Sequence, residues 1–130
     1  MWKDSILKTP SGNVYGMDTV AKKIWKFSSK GLEFISDHRV SKFLNDHINL
    51  SEYDFNEYQG HINVKTHYNE FKHDVMFTYY KDEWDGKKWI PGKQWSLCYN
   101  EITNNFITFY DWIPVESCNI DNIFFSFDKE

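Results

Sequence analysis

Four short runs in the second half of the chain fix most of what it can fold into. They are DVMFTYY (Asp74–Tyr80), QWSLCYN (Gln94–Asn100), FITFYDWI (Phe106–Ile113) and NIFFSFD (Asn122–Asp128). Each is rich in aromatic and β-branched residues and is bounded by Gly, Pro, Asn or Asp, the pattern of a strand between turns. Short sequential connections make antiparallel neighbours, so the simplest product is a four-stranded meander. Alternation puts Val75, Phe77 and Tyr79 on one face, and likewise Leu97 and Tyr99. Ile107, Phe109, Phe124 and Phe127 are expected to complete the sheet.

The first half repeats the theme on a smaller scale. Met1–Lys8 reads as a lead-in, and Thr9-Pro10-Ser11-Gly12-Asn13 as a turn. Three strands then follow at tight spacing: Val14–Asp18, Ile24–Phe27 and Leu32–Ile35. After Ser36 the period changes. Val40, Phe43, Leu44, His47 and Ile48 recur at the spacing of one helical face, which predicts a short helix over 38–48 with Ser36 or Asp37 as its cap. Leu50–Gln59 is acidic and aromatic without clear period, and Ile62–His67 (INVKTH) could be a further strand. The fold class is therefore mainly β, antiparallel meanders with one short helix. The 130 residues make a single domain, with a three-strand unit plus helix in 1–60 and the four-stranded meander in 61–130.

Composition narrows the function. Fifteen basic against nineteen acidic residues give a net charge of −4, which offers no general electrostatic case for nucleic acid. No apolar run reaches the roughly 18 residues a membrane helix needs, and the N-terminus lacks the apolar core of a signal peptide. Synthesis in a cytoplasm is expected. The aromatic share, 19%, serves sheet packing first, with a sugar-stacking face as the alternative. Cys98 and Cys118 read as buried thiols rather than a disulfide framework.

The chain also resembles itself. YGMDTVAKKIWKF (Tyr15–Phe27) aligns without gaps on LCYNEITNNFITF (Leu97–Phe109). Asp18 and Asn100 occupy the same place, where an Asx side chain can bond the backbone two residues on and start a turn. Repeats of four-stranded units are what β-propeller blades show. Two such units cannot close a propeller, so sheet edges would stay open. Any two β-hairpins share some of this likeness.

GMDTVAKKIWKF…LEFISDHRVSKFL (Gly16–Leu44) and KTHYNEFKHDVMFTYY…WSLCYNEITNNFITFYDWIP…NIDNIFFSFD (Lys65–Asp128) resemble stretches of tail structural proteins of crAss-like bacteriophages, in particular the large muzzle- or nozzle-type proteins of the short tail. The resemblance implies a β-rich, propeller-like, non-enzymatic virion protein. Its expected partners are other phage tail or virion proteins and copies of itself, up to a ring. The virion is the expected location, after synthesis in the bacterial host. Neither nucleic acid, membrane nor cofactor is implied. Those proteins are many times longer than this chain.

Candidate chemistry is thin. His61, His67 and His73 are spaced by six and, with Asp74, could ligate a metal only on one unbroken strand, which Tyr68-Asn69-Glu70 interrupts. Hydrogen-bonding histidines near turns are the plainer reading, so no metal site is assigned. Glu70, Asp74, Glu83, Asp85 and Glu101 supply carboxylates, but nothing fixes a glycosidase-like pair. No phosphate loop, GxSxG, HExxH or CxxC motif occurs, and no catalytic residue is assigned. Trp84 and Trp89, with Tyr79 and Tyr80, are the candidate contacts for a protein partner or a glycan, in a loop carrying Lys87, Lys88 and Lys93. The free edges of these sheets, and an apolar Asn122–Asp128 strand, predict association.

Overall fold

A computed structural model of the protein describes residues 5–37, 40–48, 62–110, 114–120 and 123–128. The first sheet contains β1 (Leu7–Lys8), β2 (Val14–Asp18), β3 (Lys23–Ser28) and β4 (Gly31–Phe34), paired antiparallel in chain order. The three expected strands are present. The supposed lead-in contributes a fourth, because Leu7 and Lys8 pair with Tyr15 and Val14 across the Thr9–Asn13 turn.

The helix α1 (Ser41–His47) is shorter than the periodicity suggested. Residues 38–39 lie outside the described residues. Val40 stands at the cap without a side-chain hydrogen bond. Neither expected cap serves: Ser36 Oγ accepts the Ile24 N–H at 3.0 Å, and Asp37 pairs with Lys23 Nζ at 3.3 Å. Both side chains hold β3 instead. The apolar stripe itself is real, for Val40, Leu44 and Ile48 are all buried. Two contacts dock the helix on the second sheet: Trp95 Nε1 donates to His47 O at 3.4 Å and Lys93 Nζ to Asp46 O at 3.2 Å.

The second sheet contains β5 (Ile62–Asn69), β6 (Asp74–Lys81), β9 (Gln94–Asn100) and β10 (Asn105–Tyr110), in the order β10-β9-β6-β5. A small hairpin, β7 (Glu83–Trp84) and β8 (Trp89–Ile90), extends the β6–β9 connection. The expected meander is therefore displaced by one strand. Ile62–Asn69 belongs to it, and the C-terminal strand does not. That strand, β12 (Ile123–Asp128), pairs with β11 (Pro114–Ile120) in a separate two-stranded sheet. Two physical reasons account for the difference. β11 carries Glu116, Ser117 and Asn119, so aromatic content does not mark it as a strand. Its polar side chains also bind β5, which draws the hairpin away from β10.

The two four-stranded sheets face each other. Tyr15 of β2 meets Phe77 edge-on at 6.2 Å and Tyr99 at 5.8 Å. Met17, Ile24, Val64, Val75, Tyr79 and Leu97 fill the space between. Val75, Phe77 and Tyr79 share the inner face as expected, as do Leu97 and Tyr99. Ile107 does not: the β9–β10 register shifts between Phe106 and Thr108, and Ile107 is exposed at the irregularity. Phe124 and Phe127 belong to the hairpin β11–β12 rather than to this sheet.

Candidate functional site

The first sheet is apolar on both sides. Tyr15, Met17 and Ile24 point into the core. The register then stacks Val14, Phe27 and Leu32 in one outward row, and Gly16, Trp25 and Phe34 in the next. Phe27 is 54% exposed, Leu32 59% and Phe34 40%. The Trp25 indole lies over Gly16, so close that a Cβ there would sit 2.2 Å from Cζ2. Only glycine admits that approach. The Trp25 Nε1–H is buried and has no hydrogen-bond partner among the described residues. Lys23 Nζ rests 4.8 Å above the Phe34 ring. An outward row this apolar is unusual on a free surface. Sequence reading had its signal in hand: Trp25-x-Phe27 and Leu32-x-Phe34 alternate, while Ile24 and the core residues of β2 take the other parity.

The four aromatic candidates do not gather. Tyr79 is fully buried and stacks on Trp95 with ring centroids 5.4 Å apart, so it offers no exposed surface. Tyr80 points to the opposite side of β6 and is half-buried. Trp84 and Trp89 pair across β7–β8, edge to face at 5.5 Å, with Trp84 53% exposed. Asp85 Oδ1 closes that hairpin tip by accepting the Lys87 and Lys88 N–H groups, both at 2.8 Å. The result is one exposed indole on a projecting arm.

Asp18 and Asn100 each stand at the start of a turn. Asp18 Oδ1 accepts from Val20 and Ala21 at 3.0 and 3.1 Å, and Asn100 Oδ1 from Ile102 and Thr103 at 3.0 Å each. A third copy of the turn, absent from the sequence reading, stands at Asn69, whose Oδ1 accepts from Phe71 and Lys72 at 3.1 and 3.2 Å. Each loop closes through a residue at positive φ: Lys22, His73 and Asn104. Each displays one exposed apolar side chain, namely Val20, Phe71 and Ile102.

Glu101 clamps the two sheets. Its Oε2 accepts from Thr9 Oγ1 at 3.0 Å, Ser11 Oγ at 3.0 Å, Asn13 Nδ2 at 3.1 Å and the Tyr15 hydroxyl at 2.8 Å. Burial works to raise the carboxyl pKa. The hydrogen bonds from Tyr15, Asn13, Ser11 and Thr9 outweigh it and hold the group below the ordinary carboxylate range. Burial, and then the bond to Glu101, push the Tyr15 phenol far above its usual value.

A family model described as the crassvirus muzzle protein matches residues 3–130. The chain belongs to the crassvirus muzzle protein family. No curated protein and no solved structure matches it.

In this muzzle-family chain several polar groups that might have carried chemistry are engaged in holding turns and layers. His67 is buried in β5 and hydrogen-bonds with Ser117 Oγ at 2.7 Å, while His73 sits in the β5–β6 loop, its Nδ1 3.3 Å from the Tyr68 hydroxyl. His61 lies outside the described residues. Among the described residues, no three His, Cys, Asp or Glu side chains converge as metal ligands. Asp74 accepts from Asn100 Nδ2 at 2.8 Å, and Glu101 is saturated as above. Cys98 is buried as expected, and burial raises its thiol pKa; Cys118 is exposed, a correction to the sequence reading. No helix among the described residues is long and apolar enough to cross a membrane.

Proposed function

We propose that this crassvirus muzzle-family chain is a non-enzymatic structural module of the virion that holds other virion proteins. The observation that carries the reading is the outward apolar row of Trp25, Phe27, Leu32 and Phe34, next to the exposed β4 edge of its sheet. Such a surface costs free energy in water and gains it when covered. Asp74, Asp85, Glu101 and His67 are engaged in structural hydrogen bonds, which favours scaffold over enzyme. Assembly into a ring with other tail proteins fits the family. Cross-linking mass spectrometry on purified phage particles tests the reading. Cross-links from Lys22, Lys23 or Lys30 to another virion protein or another copy are expected. Particles that lack the polypeptide, or hold it without any such neighbour, refute it.

The half-exposed Trp84 keeps a second reading in play, glycan binding by a projecting aromatic arm. A glycan array followed by titration calorimetry decides it: specific binding lost on Trp84→Ala or Trp89→Ala would favour the glycan reading over the scaffold.

A further inference from the structure

The inner side of β3 changes character along the strand. Ile24 enters the core, and alternation puts Lys26 and Ser28 on the same side. The ladder sets Lys26 between Tyr15 of β2 and Glu33 of β4, so a row of Tyr, Lys and Glu faces the second sheet. Lys26 is half-buried. Its Nζ lies 5.9 and 6.0 Å from the centroids of the Tyr15 and Tyr99 rings and donates to Asn104 Oδ1 at 3.4 Å. Opposite charges facing each other across a ladder attract. Yet among the described residues the ion pairs are Lys23 with Asp37 and Lys42 with Asp46, and none of Lys26, Lys30 and Glu33 joins one. A half-buried ammonium without a counter-charge loses solvation that a bound anion would restore.

These groups line a cleft of about 480 Å³ between the β3–β4 turn and the β9–β10 turn. Small-ligand sites span roughly 300–1,000 Å³. Tyr99, Phe106 and Ile35 supply its apolar surface, and Ser29, Lys30 and Asn105 are exposed around it. Asn104 Oδ1 is taken by Lys26 and the Tyr99 hydroxyl. Its Nδ2, the Ser29 hydroxyl and the Glu33 carboxylate have no hydrogen-bond partner among the described residues. Burial, and then the charge of Glu33, push the Tyr99 phenol up to about 12, so that carboxylate is felt inside the cleft.

We propose that this cleft binds an acidic sugar, with the sugar carboxylate on Lys26 and Lys30. Two sources share that chemistry, a free hexuronic acid and the acidic unit of a longer glycan. Ring hydroxyls both donate and accept, so they can serve Asn104 Nδ2, the Ser29 hydroxyl and the Glu33 carboxylate together. The apolar surface of Tyr99 and Phe106 fits the C–H face of the ring. A bare phosphate at neutral pH mainly accepts, and it would set like charge against Glu33. A neutral sugar would leave Lys26 without an anion. The site is separate from the Trp84 arm and from the outward apolar row, and it does not depend on the scaffold reading.

The test follows the amide signals of the full chain by NMR during titration with glucuronic acid, a uronic-acid trisaccharide, glucose, inorganic phosphate and free glycine. The two acidic sugars should shift signals of Ser29, Lys30, Asn104 and Asn105, and glucose should bind at least about tenfold more weakly, the loss of one charged hydrogen bond. Rising salt should weaken the acidic sugars and leave glucose unchanged. Lys26→Gln should abolish the preference for acidic sugars, and circular dichroism verifies its fold. Lys30→Gln, at an exposed position, carries the same test if Lys26→Gln fails to fold. Tighter binding of the trisaccharide assigns the site to a glycan, and equal binding to the free acid. Binding of neither acidic sugar overturns the inference, as does phosphate or glycine binding at the cleft as tightly as glucuronic acid. A preference that survives the lysine variant also overturns it, as does sugar binding that is lost on Trp84→Ala instead.

Discussion

Replacing Glu101 with Gln probes the clamp between the two sheets. The change keeps the side chain's shape and removes its charge. Glu101 Oε2 serves four donors, at 3.0, 3.0, 3.1 and 2.8 Å. A hydrogen bond to a charged group contributes about 1.5–3 kcal/mol, and a neutral one about 0.5–1.5. The glutamine oxygen still accepts some of the four, and Glu101 is partly exposed, so screening trims the charged share. The expected loss is about 1–3 kcal/mol, or roughly 4–10 °C in Tm for a domain of this size. The pH dependence is more diagnostic. The folded carboxyl titrates below its unfolded value of about 4.3. Its stabilisation is therefore complete above that value and is lost as pH falls through the lower, folded one. Thermal melts by circular dichroism at several pH values between 7 and 3 should show the widest gap at neutral pH and convergence in acid. Equal Tm values at pH 7, or a gap that widens toward acid, would refute the clamp.

Two further substitutions test the remaining local claims. Gly16→Ala puts a methyl 2.2 Å from Trp25 Cζ2, so the indole must move; a loss of about 1–3 kcal/mol is expected in urea unfolding. In a Trp25→Ala background the same change should cost almost nothing, and an undiminished cost there would mean the glycine serves the backbone instead. Asn100→Ala should destabilise more than Asp18→Ala, by about 2–3 against about 1 kcal/mol. Asn100 also donates to Lys72 O at 3.0 Å and Asp74 Oδ1 at 2.8 Å, whereas the bonds found for Asp18 stay within its own loop. Equal losses would show that the bridge between neighbouring loops adds nothing.

Strands were legible wherever alternation and aromatic content agreed, as in β2, β3, β6, β9 and β10. β11 was not, because its stabilisation comes from Ser117 and Asn119 reaching β5, residues about 50 positions away. Capping failed for a related reason. Ser36 and Asp37 have the right chemistry for a helix start, but β3 competes for both and wins. The Glu101 clamp joins residues 86 to 92 positions apart, and no local pattern announces such a bond. Tyr79 is among the candidate contact residues of the sequence, although the alternation of β6 is already legible there. Its parity with Val75 and Phe77 puts it in the core.

The three Asx turns explain the internal likeness without a duplicated domain. In each, the side-chain oxygen takes two backbone N–H groups ahead of it, winding the chain into one helical turn. A residue at positive φ then lets the chain leave, at Lys22, His73 and Asn104. Loop length is thereby fixed, and the ladder pairs Asp18 with Lys23, Asn69 with Asp74, and Asn100 with Asn105. Fixed length fixes parity, since a slip of one residue would send every side chain to the other face. The residue before each Asx therefore faces the core: Met17, Tyr68 and Tyr99 are all buried. The residue six positions after each Asx does the same, with Ile24 and Val75 buried and Phe106 packed against the core cluster. One side-chain oxygen, repeated three times, sets which half of each hairpin meets the opposite sheet. By the same arithmetic it sends Trp25, flanked by Ile24 inside, to the outer face where the proposed contact lies.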